Sequence, residues 1–151
     1  MIFLDANVFL RYLVEPTSPE TRSMQEMASA LFDAVERGQE DVTTTEVVLH
    51  EVAYVLASRK HYNVPAPEIA AYLAPILRMP GMKLPRGEKR LYLRALDIYV
   101  ANPKLEFADS IVAARAERLG VPLATFDDDL ARLPFVTRWQ PKGQAGTAGL
   151  S

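Results

Sequence analysis

A chain of 151 residues, 49% hydrophobic and 24% charged, has the length and composition of one globular domain. It has no cysteine, which excludes a disulfide framework and a thiolate metal site, and its formal net charge of −2 gives no global pull toward nucleic acid or an anionic membrane. No stretch approaches the ~20 apolar residues of a membrane span, and the opening MIFLDANVFL lacks the basic lead and cleavage pattern of a secretion signal, so a cytoplasmic protein without a membrane partner is expected.

Ile2 to Asp5 reads as a short strand, apolar on both faces as in a buried parallel sheet. Ala6 to Val14 reads as a short helix ended before Pro16. In SPETRSMQEMASALFDAVERG, a proline near the start, Gly38 at the end and helical spacing of Met24, Met27, Leu31, Phe32 and Val35 predict an amphipathic helix. Asp41 to Thr43 suits a very short strand. Helices are expected over Glu46 to Lys60, Pro65 to Leu77, Gly87 to Val100 and Phe107 to Leu119, the last closed by Gly120. VPLATF (121–126) reads as a strand, DDDLARL as a helical turn and FVTRW as an edge strand. Residues 1–139 form the expected domain, and 140–151, which lack apolar mass, an expected disordered tail. Strands alternating with helices argue for an α/β fold with a parallel sheet, whose ligands sit beyond the carboxyl ends of the strands.

Asp5 and Asp127 both follow apolar strand-like runs and so are placed at such ends. An aspartate at position 5 also caps the helix that follows it, and the two roles are compatible. Glu51 falls within the stripe Val47, Val48, Val52 and Val55, and a carboxylate on a buried face costs several kcal/mol unless paired or metal-bound. A salt bridge, for instance to Arg115, is the plain alternative. Glu46 fits position N3 of a capping box begun by Thr43, which favours Glu51 as the functional acid. Asp109 lies in the first turn of its helix, where it complements the helix dipole, and Glu106 just before it is an auxiliary candidate. Within the triplet Asp127, Asp128 and Asp129, the first is favoured and Asp129 is second. Four carboxylates gathered together repel unless a cation joins them. With oxygen ligands, no cysteine and only two unpaired histidines, His50 and His61, that cation is expected to be Mg²⁺ or Mn²⁺.

The succession LDANVFLRYL, VVLHEVAYVL, EFADSIVAARAERLG and PLATFDDDLARL resembles the PIN-domain ribonucleases, and among them the VapC-type toxins of toxin–antitoxin pairs, from residue 1 to about Val136. The resemblance implies a three-layer α/β sandwich with a central short-stranded parallel sheet. It implies Mg²⁺- or Mn²⁺-dependent cleavage of RNA, frequent homodimers and a cognate antitoxin. It puts the catalytic and metal-binding acids on Asp5, Glu51, Asp109 and Asp127, with Asn7 and Thr125 as orienting polar residues; Glu106 stands where the family often has aspartate. Antitoxins of this kind press an arginine-bearing segment into the acids, and the helices 20–37 and 46–60 are the expected landing site. RNA also requires cations along its backbone. Six of the chain's 17 Lys and Arg residues, Arg78, Lys83, Arg86, Lys89, Arg90 and Arg94, fall in one short segment with a single acid, Glu88, and Arg59 and Lys60 extend the set. A solvated helix face is the alternative for these cations. Two rival readings use the same residues: a PIN nuclease of RNA maturation or decay, and a PIN-like module that binds RNA or protein without cleaving. A dehalogenase-type phosphatase requires aspartate where Asn7 stands, and a phosphoryl-accepting receiver domain requires an acid doublet and a late lysine that the chain lacks.

Overall fold

The computed structural model of the chain describes residues 1–142; residues 143–151, most of the expected tail, lie outside the described residues. The elements run β1 (Ile2–Phe3), α1 (Ala6–Leu13), α2 (Pro19–Glu36), β2 (Val42–Thr43), α3 (Glu46–Ala57), α4 (Ala66–Leu77), α5 (Glu88–Ala101), α6 (Phe107–Leu119) and α7 (Asp128–Ala131). The result is a mixed α/β fold in which seven helices, among the described residues, surround a small parallel sheet. None of those helices is long and apolar enough to cross a membrane.

The helices begin and end where local chemistry dictates. Ser18 accepts from the Thr21 N–H at 3.1 Å while Thr21 Oγ1 accepts from the Ser18 N–H at 3.0 Å, so two orphan donors of α2 are satisfied reciprocally, with Pro19 at its first position. The helix after β2 is shorter than its periodicity predicts: it stops at Ala57, and Arg59 and Lys60 lie in the turn beyond it. Its N-cap is Thr45, not Thr43, because Thr43 is held in β2 by pairing with Phe3. Glu46 is therefore the first residue of α3 rather than part of a capping box.

The sheet is built on parallel register Ile2↔Val42 and Phe3↔Thr43, continued by a bridge from Val42 to Met82. Ile2 and Leu4 donate to the carbonyls of Asp41 and Thr43, each at 2.9 Å. Alternation along a strand then turns the N–H and C=O of Phe3 away from β2. No partner for them occurs among the described residues, and Ile2 and Phe3 are 39% and 59% exposed. The expectation of a strand buried on both faces holds only for Leu4, 1% exposed. The reason lies in residues 121–126, which do not form the expected strand. Pro122 removes a donor, and the segment makes one bridge, Leu123 to Arg138, using the Leu123 N–H to the Thr137 carbonyl and the Trp139 N–H to the Leu123 carbonyl, both 2.8 Å. The FVTRW segment is likewise reduced to that bridge.

Phe9 and Phe32, both fully buried, pack at 5.6 Å between ring centres and join α1 to α2; Leu49, Val52 and Leu56 of α3, Ile69 and Leu73 of α4 and Leu96 and Ile98 of α5 complete one continuous core. Tyr99 meets Phe107 edge-on at 5.8 Å, fixing the start of α6 against α5. The α2 stripe is wider than its buried part: Ala28, Phe32 and Val35 are buried, whereas Met24 and Met27 are 40% and 73% exposed.

Gly81 shows how closely β2 is framed. Its carbonyl accepts from the Val42 N–H at 2.8 Å, its own N–H donates to the Val35 carbonyl at 2.9 Å, and a Cβ there would collide with the Glu40 carbonyl oxygen. The obstacle is backbone, which cannot rotate aside. Gly81→Ala is expected to cost about 3 kcal/mol, roughly 6–12 °C in Tm. Gly120→Ala, with open space around it and only a positive φ to accommodate, costs about 1 kcal/mol. Thermal unfolding of the two variants checks the difference.

Candidate active site

Three of the four acids singled out by their sequence positions stand at helix starts, and each gives one oxygen to the main chain. Asp5 caps α1, its Oδ1 accepting from the Ala6 N–H at 2.8 Å. Asp109, half-buried at the third position of α6, accepts from the Glu106 N–H at 3.0 Å through Oδ2. Asp127 caps α7, its Oδ1 accepting from the N–H groups of Asp129 at 2.9 Å and Leu130 at 3.2 Å. Thr125 shapes that turn by accepting from the Asp127 N–H at 3.0 Å. The second oxygen of each aspartate makes no hydrogen bond or ion pair within the described residues. Asn7 is exposed two residues beyond Asp5 and lines a groove with α2.

Glu51 is exposed, contrary to its expected place in a buried stripe. The buried face of α3 is Val48, Leu49, Val52, Ala53 and Leu56, and Glu51 sits on the other side with Val47, 72% exposed, and Tyr54, 57% exposed. Val47, apolar but on the solvent face, and Val55, only half-buried, place the expected stripe one step around the helix from the buried face. The burial argument for Glu51 falls with that correction; it carries no desolvation cost and has no polar partner among the described residues.

Several neighbouring acids are ion-paired with arginines, the second candidate Asp129 among them, whereas Glu106 has no ion pair among the described residues. Arg115 Nη2 bonds Glu46 at 2.7 Å and Glu88 at 3.0 Å, and the Tyr92 hydroxyl donates to Glu88 at 2.6 Å. Arg115 is thus the partner of Glu46 rather than of Glu51. Asp128 is 3.0 Å from Arg138, and Asp129 is 3.8 Å from Arg132. Asp5, Glu51, Asp109 and Asp127 have no ion pair among the described residues.

The donor chemistry of these four suits a hard divalent cation. Their spacing does not yet form a centre: among the described residues no three Asp, Glu or His side chains are grouped so as to hold a metal ion. The single hollow of four carboxylates expected from the sequence is therefore absent as a preassembled site, and no reaction step through a metal follows from this geometry.

The basic set is also sorted. Arg78, Lys83, Arg86 and Arg90 are exposed and Lys89 half-buried, with no ion pair among the described residues, as is true of exposed Arg59 and Lys60. Arg94 instead grips Glu117 with two bonds, 2.8 and 2.9 Å, and its guanidinium lies 4.8 Å from the Phe135 ring centre. Arg118, which the segment pattern missed because it lies on α6, joins Arg86, Arg90 and Arg94 around one cavity. A basic residue in the last turn of a helix reads as dipole compensation, which hid it.

Glu88 is held below its ordinary value of 4.5, first by the Arg115 hydrogen bond and then by Tyr92, and Glu117 is lowered by Arg94. Burial first, and the bond to Glu88 second, push the Tyr92 phenol up. For a carboxylate depressed in the folded state, the unfolded chain takes up its proton first. Stability from Glu88 and Glu117 is therefore complete above the unfolded value and lost as pH falls through the folded one. Denaturant titrations below neutral pH should show a steeper acid loss of stability for the wild type than for Glu88→Gln; equal slopes would remove Glu88 from the network.

Among known proteins, the sequence model of the PIN domain matches residues 2–136. No curated protein matches the chain. A match over nearly all of the sequence, on a mixed α/β fold with a small parallel sheet, places this chain in the PIN-domain family, whose members are generally nucleases.

Proposed function

We propose that the chain is a Mg²⁺- or Mn²⁺-dependent endoribonuclease, the toxin of a VapBC-type pair, acting in the cytoplasm. The observation that carries the site assignment is electrostatic. Glu46, Asp128 and Asp129 are ion-paired with Arg115, Arg138 and Arg132, while Asp5, Glu51, Asp109 and Asp127, like Glu106, remain without a cationic partner among the described residues. A divalent cation, if these acids held one, would lower the pKa of a bound water and stabilise charge on the phosphate. The chain's own part is positional. Asp5, Asp109 and Asp127 each hold one carboxylate oxygen on a main-chain N–H and present the other. Glu51, on an open helix face, is free to accept a proton from an attacking water. Thr125 supports the Asp127 turn, Asn7 stands beside Asp5, and Glu106 and Asp129 flank the set.

A toxin requires a partner that silences it. Between α1 and α2 runs a groove of about 500 Å³ lined by Asn7, Val8, Arg11, Met24, Met27 and Leu31, among others. Methionines in an open apolar groove suit the apolar face of a protein segment. Asn7 at its edge would bring an antitoxin beside Asp5, where a partner arginine could supply the missing positive charge. A homodimer is proposed alongside, to be read from solution mass.

One observation favours a second reading, a PIN module that binds RNA or protein without cutting: no three of the acids are gathered among the described residues. Cleavage of total RNA decides between them. Asp5→Asn keeps a good N-cap, so the fold should persist, while cleavage in Mg²⁺ or Mn²⁺ falls by about 10²-fold or more. Wild-type protein that leaves RNA intact with either ion would favour the binding module, and an active Asp5→Asn would end the assignment of Asp5.

A further inference from the structure

Where α5 meets α6, a cavity of about 450 Å³ is lined by Arg86, Gly87, Arg90, Arg94, Glu117 and Arg118, among others. The carboxylate in its lining among the described residues, Glu117, already takes both bonds from Arg94. Arg118 is seated by donation from Nη1 to the Gly87 carbonyl at 3.0 Å, and a Cβ on Gly87 would collide with its guanidinium. Gly87 also has φ +83°, a backbone conformation that favours glycine, whereas the arginine end lying on it is free to shift aside. Two arginines are thus held by hydrogen bonds, and two more, Arg86 and Arg90, make no ion pair among the described residues. Four guanidinium groups around one hollow repel one another; among the described residues Glu117 is the acid in its lining, with Glu88 near Arg118 and Asp97 near Arg94 offsetting part of the charge.

We propose that this hollow is a phosphate-binding subsite for an RNA strand, separate from the acids. The proposal rests on the reading of the chain as an RNA-acting PIN protein. Asp109 and Arg118 stand nine residues apart on α6, about 14 Å at the rise of a helix. One rigid helix therefore holds the subsite at a set distance from a candidate catalytic acid. Guanidinium groups bind phosphate oxygens in paired bonds, and RNA supplies phosphates at regular intervals along its backbone. Arg94 and Arg118 form the hydrogen-bonded wall; Arg86 and Arg90 are free to close on the strand.

The test is binding of a short fluorescent single-stranded RNA in chelator, where no cleavage confuses the reading. The full chain is compared with the Arg86→Gln/Arg90→Gln variant and with Arg37→Gln, an exposed cation at the end of α2. The double variant should unfold within roughly 2 °C of wild type, since both side chains are exposed and neither makes a side-chain hydrogen bond or ion pair among the described residues. Its Kd should rise by about 10-fold or more, and the dependence of affinity on salt should become shallower by about 1 in logarithmic slope. Arg37→Gln should bind as wild type does. Unchanged affinity and slope in the double variant would overturn the subsite, as would an equal loss in Arg37→Gln, which would show only bulk charge. Either result leaves the cleavage comparison with Asp5→Asn standing. Wild type that neither binds nor cuts RNA would remove both readings together.

Discussion

One guanidinium, that of Arg115, ties three helices, two of which, α3 and α6, carry candidate acids. It bonds Glu46 at the start of α3 and Glu88 at the start of α5 from its own place on α6. Asp109 stands on α6 and Glu51 on α3, so their separation is set in part by that bridge. The geometry is partly screened, with the Arg115 side chain 38% exposed, yet Glu88 is only 18% exposed and receives a further bond from the buried Tyr92. Removing the cation would leave Glu88 poorly solvated between two helices. The arrangement holds its register through charge where the core beneath, mostly aliphatic and aromatic, offers volume but little direction.

A second consequence of that bridge is division of labour among the acids. A chain with 19 acidic residues could neutralise any of them with its 17 basic ones. The arginines that do form bridges choose Glu46, Glu88, Glu117, Asp128 and Asp129. Glu46 and Glu51 lie on one helix, and Asp127 and Asp128 are adjacent, yet their electrostatic surroundings differ completely. Being unpaired is not unusual on a protein surface. Asp5, Asp109 and Asp127 are each both unpaired among the described residues and oriented by the main chain at a helix start, as Glu106 is in the α6 capping box.

Much of the helical architecture was legible in the sequence because it is written in local signals. Ser18-Pro19, Gly120 and the i, i+3, i+4 spacing of apolar residues place α2, α4 and α6 within a residue or two of their observed bounds. The strands were harder, since an apolar run such as VPLATF does not say which neighbour it will pair with, and pairing is a property of the whole fold. The face of α3 differs from its expected stripe for a related reason: Val47 is apolar yet faces solvent, so hydrophobicity alone put Glu51 inward. The candidate acids were found through position, at strand ends and helix starts. Whether they gather depends on tertiary distances that no spacing along the chain encodes. Arg118 shows the same limit from the other side, being 24 residues beyond Arg94 in sequence and beside it at one cavity.

The aspartates that cap helices have a property that freely exposed carboxylates lack. A side chain tethered by one oxygen to its own main chain cannot spin about its bonds as a solvated aspartate does. The rotational freedom is surrendered when α1, α6 and α7 form, not when a ligand arrives. Whatever cation or proton donor meets the remaining oxygens of Asp5, Asp109 and Asp127 therefore encounters groups whose disorder has already been removed, and the affinity of each is higher by that margin.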